Sequence, residues 1–277
     1  MSKLQLAIKD KKGALIQKGQ LEIKNQTESS AELYLYGDII SYSMSESYRE
    51  YYPDDKCPKD IEEFLNQIGD VENLDIHINS GGGSVFGGIA IYNMLSRKKC
   101  TKTVYIDGIA ASIASVIACC GDRIIVPKNA TFMIHKPSNS YFWASMNADE
   151  LRKDAELLDT CQKAILNTYM SKVKDGISED KINELINAET WMVGNEVSQY
   201  FDFEIEESVD AVACTSDYFE KYANTPTDLK NTNSEKDLIT KDMISELVDK
   251  RIAEIEKNKI EEQKNNLLKD LDSFGKR

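Results

Sequence analysis

The sequence predicts an α/β fold with a largely parallel sheet. Three observations carry that expectation. Short apolar-alternating runs and amphipathic helical runs succeed one another from residue 60 to residue 137. Two of the strand-to-helix junctions are built from glycine and other small residues. The chain has 277 residues, 41% apolar and 29% charged, which suits one good-sized core with a smaller appendage.

The elements follow in order. Residues 1–30 are polar and weakly patterned, and the first clear strand is AELYLYGDI (32–40). A tyrosine-rich polar stretch at 41–53 reads as a loop or an insertion. DIEEFLNQIGD (60–70) reads as an amphipathic helix with Ile61, Phe64, Leu65 and Ile68 on one face. A strand (73–79), a helix (84–98), a strand (102–109) and a helix (112–121) come next, followed by short strands at 122–128 and 130–137. A long helix spans about 147–174. A second begins at Ser178, where Lys181 stands in place of the Glu or Gln of a full capping box. Residues 193–207 read as a short helix running into a strand. Residues 208–237 have linker composition, with a turn signal at Thr225-Pro226. The tail (238–277) carries Ile244, Leu247, Val248, Ile252 and Ile255 at helical spacing, a pattern for packing against a partner.

Composition narrows the function. A net charge of −13 disfavours nucleic acid and anionic membranes as partners, since both call for a basic footprint. No run of about 18 apolar residues is present, and lysines interrupt the first 20 residues before a leader could form. A cytoplasmic location is expected, and with it reduced thiols. The six cysteines form no CxxC pair, and Cys119 and Cys120 lie in an apolar run where a thiol acts as a small hydrophobe.

Histidine is scarce: the chain has only His77 and His135. A hydroxyl nucleophile working near neutral pH therefore has two candidate bases. His77 alternates with apolar residues inside a strand and reads as packed on a sheet surface. His135 ends the strand ATFMIH, where a loop begins, and is the better placed of the two to reach a cleft. The turn Asn79-Ser80-Gly81-Gly82-Gly83-Ser84 can aim backbone N–H groups at a ligand. It lacks the lysine of a phosphate-binding loop, so an oxyanion hole, a substrate clamp and a plain tight turn stay open. In Gly108-Ile109-Ala110-Ala111-Ser112, one serine stands at a helix start. Ser112 is either an N-cap or a nucleophile whose oxyanion would form beside the N–H of Ile113.

Together these segments resemble the ClpP family of serine peptidases, from about residue 32 to 207. INSGGGSVFGGIAIYNML resembles that family's strand, glycine turn and helix. GIAASIAS resembles its nucleophile segment, MIHKP its histidine segment, and AETWMVGNEVSQYF its acidic segment. The resemblance implies a ClpP/crotonase-like spiral of ββα units over residues 31–207. It also implies a triad of Ser112, His135 and Glu189, oxyanion donors at Gly83 and Ile113, and no cofactor or metal. Two positions depart from the pattern. Gly81 stands where the family has a turn proline, and Glu189 stands where cellular enzymes usually have Asp. Glu184 and Asn187 are the alternative orienters of His135.

YIDGIAASIASVIA and GDRIIVPKNATFMIH most resemble the phage and prophage branch, the head maturation or prohead proteases. That likeness implies an endopeptidase that cleaves capsid and scaffold proteins, assembled as a ring-like homo-oligomer in the host cytoplasm or inside the prohead. Alternatives are a degradation peptidase working with an AAA+ unfoldase, a catalytically weak capsid-assembly protein, and an acyl-CoA hydratase or isomerase on the same architecture. The last has no need of the Ser112 and His135 pair.

Overall fold

The computed structural model describes residues 29–41, 52, 54–141, 145–208, 214 and 216–229, and the backbone alone of 7–9 and 15–17. The latter are β1 (Ala7–Lys9) and β2 (Leu15–Gln17), an antiparallel pair in the stretch expected to be weakly patterned. The helical tail expected over 238–277 lies outside the described residues.

The main sheet is built from β3 (Ser30–Tyr36), β4 (Asn73–Ser80), β5 (Thr101–Ala111), β6 (Arg123–Pro127), β7 (Thr131–Ile134), β8 (Thr190–Val193) and β9 (Glu204–Glu206). Its path runs β3-β4-β5-β6-β9, all parallel, while β7 pairs parallel to β5 and antiparallel to β8. The expected α/β architecture with a mostly parallel sheet is present. Residues 190–193, to which the sequence pattern assigned no element of their own, form the antiparallel strand β8 ahead of the expected short helix. That helix, α6, is a single turn at Gly194–Val197.

Period-two patterning explains which side is dry. In β4, Leu74, Ile76 and Ile78 are fully buried, and so are Leu33 of β3 and Val104 and Ile106 of β5. Helices α1 (Pro58–Ile68), α2 (Val85–Arg97) and α3 (Ile113–Ala118) contribute Ile61, Ile91, Leu95 and the whole of α3 to the same core. On the opposite face His77 lies stacked between Tyr34 and Tyr105, at ring separations of 4.5 and 5.0 Å, and its Nδ1 meets the Asp107 carboxylate at 2.9 Å. His77 is a sheet-surface residue, as its alternation suggested.

β5 is the strand that matters for function, because it has two different neighbours. Thr103–Tyr105 pair with β6, whereas Ile109–Ala111 pair with β7. The pairing with β4 also shifts register between Ile78 and Ser80. Such an irregularity re-aims a strand end. The carboxyl ends of parallel strands are where clefts form in such sheets.

The long helix α4 (Ala148–Met170) carries a full capping box, Asn147 with Glu150, and supports α3 from behind. The Tyr169 hydroxyl lies 2.6 Å from Ser115 Oγ, and Ser115 in turn donates to the Ser112 carbonyl. Tyr169 is 1% exposed and Ser115 fully buried, so this chain is dry and rigid. Tyr169→Phe removes one buried partner without a large change in volume. It should destabilise the fold by about 1–3 kcal/mol in urea unfolding.

Candidate active site

Strand register builds the site. Ala111 pairs with Met133, and the Ser112 N–H donates to the Met133 carbonyl at 2.9 Å, one step beyond the strand proper. This places Ser112 beside the end of β7, where His135 follows Ile134. Ser112 Oγ and His135 Nε2 lie 2.6 Å apart. On the other side of β7, Ile134 pairs antiparallel with Thr190, so the next step of the ladder sets Glu189 opposite His135. Three residues distant in sequence are thus juxtaposed by the ends of three adjacent strands.

Backbone strain marks two of these positions. Ser112 has φ 55° and Glu189 φ 50°, the positive-φ non-glycine residues among the described ones. Such conformations cost about 1–3 kcal/mol each and persist only where the surroundings enforce them. The Ser112 side chain makes no N-cap hydrogen bond to α3, so capping does not account for the serine.

The glycine turn closes the same cleft. The Ile39 N–H donates to the Gly82 carbonyl, and the Ser84 N–H donates to the Ile39 carbonyl, both at 2.7 Å. The Gly83 amide lies between these two bonds and belongs to neither. Gly83 has φ 138°, and a Cβ there would come within 2.1 Å of the Ile39 carbonyl oxygen. Gly83 and Ser112 line one cleft with His135 and Glu189, of about 530 Å³. Ile113 starts α3 with its side chain buried beneath Gly88, which leaves its N–H at the helix start beside Ser112.

Electrostatics favour a neutral base. Burial lowers the His135 pKa below its ordinary value, and the nearby Glu189 carboxylate opposes that shift. Glu189 does not face His135 alone. Its carboxylate accepts the Ala223 N–H at 2.9 Å, the Asn224 N–H at 2.5 Å and the Trp191 indole at 3.4 Å. Of the alternative orienters, Glu184 pairs with Lys181 on the surface of α5 (Glu179–Asn187), and Asn187 lines the cleft but accepts from Gln162. Cys119 and Cys120 are buried, and burial pushes the Cys120 thiol up to about 12, consistent with inert core thiols. Among the described residues no cluster of His, Cys, Asp and Glu could hold a metal ion, and no helix is long and apolar enough to cross a membrane.

Sequence reasoning missed one part of this site. Residues 216–229 fall in the stretch read as a linker, yet Phe219 and Tyr222 are buried in a second apolar cluster with Ile109, Ala111 and Met133. The Tyr222 ring stands edge-on to His135 with centroids 4.8 Å apart, and its hydroxyl donates to the Gly81 carbonyl at 2.6 Å. The available signal was the aromatic spacing Tyr218, Phe219, Tyr222 within otherwise polar sequence.

A Clp protease family profile matches residues 62–201, half of the chain and all of the Ser112, His135 and Glu189 framework. The chain belongs to the Clp protease family. It is 28% identical over 172 residues to the ATP-dependent Clp protease proteolytic subunit 1 of Chlamydia muridarum, covering 59% of this chain and 88% of that one. It is 32% identical over 140 residues to the Clp proteolytic subunit of Chaetosphaeridium globosum, covering 50% of this chain and 67% of that one. A solved ClpP mutant from Listeria monocytogenes shares 23% identity at a TM-score of 0.49, over 64% of this chain and 91% of that one. The relatives indicate a ClpP-like serine peptidase.

The histidine environment is testable without any substrate. With only two histidines in the chain, His135 can be followed by NMR. Its midpoint should fall below the ordinary 6.5, the direction that burial imposes. A midpoint at or above 6.5 would mean that Glu189, not desolvation, dominates.

Proposed function

We propose that this Clp-family peptidase cleaves peptide bonds with Ser112 as nucleophile, His135 as general base and Glu189 as the acid that supports it. The observation that carries the assignment is the 2.6 Å contact between Ser112 Oγ and His135 Nε2 at the mouth of a cleft. His135, held neutral by burial, takes the Ser112 proton as the hydroxyl attacks the carbonyl carbon. The amides of Gly83 and Ile113 receive the developing oxyanion. Protonated His135 then gives its proton to the departing amine, and water attacks the acyl-enzyme with His135 again as base. Glu189 stabilises the imidazolium form.

For substrates, the phage-like motifs GIAASIASVIA and GDRIIVPKNATFMIH support a head maturation role, with capsid and scaffold proteins cut within a ring-like homo-oligomer. A second reading is favoured by the relatives' names: ATP-dependent proteolytic subunits, whose counterpart here would work with an ATPase.

Two outcomes test the assignment. Ser112→Ala and His135→Ala should each lower peptidase activity by about 10³-fold or more, while His77→Ala should leave the chemistry intact. Co-expression of wild type or Ser112→Ala with neighbouring capsid and scaffold proteins, read by intact mass, tests the substrate class. Fragments that appear only with wild type support head maturation. Unchanged capsid masses, together with degradation that depends on a co-expressed ATPase, support the second reading.

A further inference from the structure

Residues 216–229 begin 15 positions beyond the end of the family match at 201, outside the matched framework. They nevertheless form one wall of its catalytic cleft, where Tyr218, Lys221, Tyr222, Ala223 and Asn224 line the same space as Ser112 and His135. Each end of the segment is anchored to a different wall. At the start, Ser216 Oγ donates to the buried Asp38 carboxylate at 2.5 Å. In the middle, Phe219 and Tyr222 fill the apolar cluster formed by Ile109, Ala111 and Met133. Beyond them, the N–H groups of Ala223 and Asn224 bind Glu189, and Asn224 Nδ2 donates to the Ala188 carbonyl at 3.0 Å. The segment also closes on itself through Thr225 Oγ1 and the Phe219 carbonyl at 2.7 Å.

The position of the phenol is the decisive detail. The Tyr222 hydroxyl is tied to the Gly81 carbonyl, and its ring stands edge-on to His135. A Cβ at Gly82 would lie 2.7 Å from Ser112 Cβ and 3.0 Å from the Tyr222 hydroxyl oxygen. The phenol therefore stands beside Ser112, on the wall of the cleft. An independent feature agrees. A Cβ at Gly81 would meet Ser216 Cβ at 2.3 Å, so the seated segment leaves no room for a side chain at the position where the family pattern carries proline.

We infer that residues 216–229 form an autoinhibitory strap that walls and narrows the peptidase cleft of its own chain and holds the Glu189 carboxylate until it is displaced. The inference rests on Ser112 being the nucleophile. With the strap seated, Tyr222 stands edge-on to His135 and beside Ser112, and Glu189 is engaged by strap amides. Lifting the strap opens the cleft, exposes His135 further to solvent and releases the nearby Glu189 carboxylate from the strap amides. Both changes raise the His135 pKa.

The test uses the full chain, a fluorophosphonate probe and amide hydrogen exchange. Tyr222→Ala should speed labelling of Ser112 by about tenfold or more, the gain expected when the open form is a tenth or less of the wild-type population. Tyr222→Phe, which keeps the buried ring and loses the hydroxyl, should give a smaller gain and remains informative if the alanine variant folds poorly. The amides of Ala223 and Asn224 should be protected in wild type and exposed in Tyr222→Ala. Wild-type labelling as fast as that of the variants, slower labelling in Tyr222→Ala, or unprotected strap amides in wild type would overturn the strap while leaving Ser112 in place. An unlabelled Ser112 in both variants, with exchange showing the strap released, would overturn the nucleophile assignment and the inhibitory role with it.

Discussion

The site depends on the forking of β5. A parallel strand normally keeps one neighbour on each side, but β5 hands its edge from β6 to β7 between Tyr105 and Ile109. Its last residues consequently run between β7 and the shifted end of β4, where Ala110 still pairs with Ser80. The Ser112 N–H extends that ladder by one bond, and β8 extends it from the far side of β7. Backbone hydrogen bonds, the least adjustable contacts in the molecule, therefore set the spacing of Ser112, His135 and Glu189. Side-chain chemistry is placed on this frame and does not create it.

Preorganisation of this kind has a local cost, seen in the positive φ of Ser112 and Glu189. It is offset by buried structure behind the site. Tyr169 and Ser115 fix the Ser112 carbonyl from the α4 side, and Phe132 packs on Tyr169, Phe201 and Phe203 beneath β7. The dry surroundings also strengthen electrostatic effects. Desolvation keeps His135 in its basic form at rest, and charge from Glu189 gains value once the imidazole becomes protonated. An imidazole disfavoured as a cation by burial and supported as one by a nearby carboxylate suits the general-base role proposed for His135.

Much of this was legible in the sequence because the relevant signals are local. Alternation in NLDIHIN fixed which residues of β4 face the core, and the glycine and alanine junctions located the strand ends that carry Ser112 and the Gly83 turn. The two-histidine count reduced the choice of base to one comparison, in which the strand-end position favoured His135. The fork in β5 was not legible, since nothing in KTVYIDGI states that one strand will have two partners. β8 was missed for a related reason: TWMV is four residues long, and its pairing is set by β7 rather than by its own pattern. The tertiary role of 216–229 was hidden by composition, because its buried surface is only a few aromatic residues among polar neighbours. Burial there is conferred by a cleft already built from other segments.

That last point bears on how easily the segment can leave. Residues 216–229 contain no described helix or strand beyond one 3₁₀ turn at Thr227–Leu229, and their hold rests on two buried rings and a few polar bonds. Elements with so few buried contacts occupy the low end of a protein's local stability and open without global unfolding. Covalent attachment compensates, since a tethered occupant competes at an effective concentration on the order of millimolar for a short link. A free substrate meeting the cleft at lower concentration loses that competition unless something else engages the strap. Multivalent or locally concentrated substrates, such as proteins gathered in an assembly, are better able to win it. On the proposed strap, the same weak contacts that make it removable tie activity to the presence of a crowded substrate.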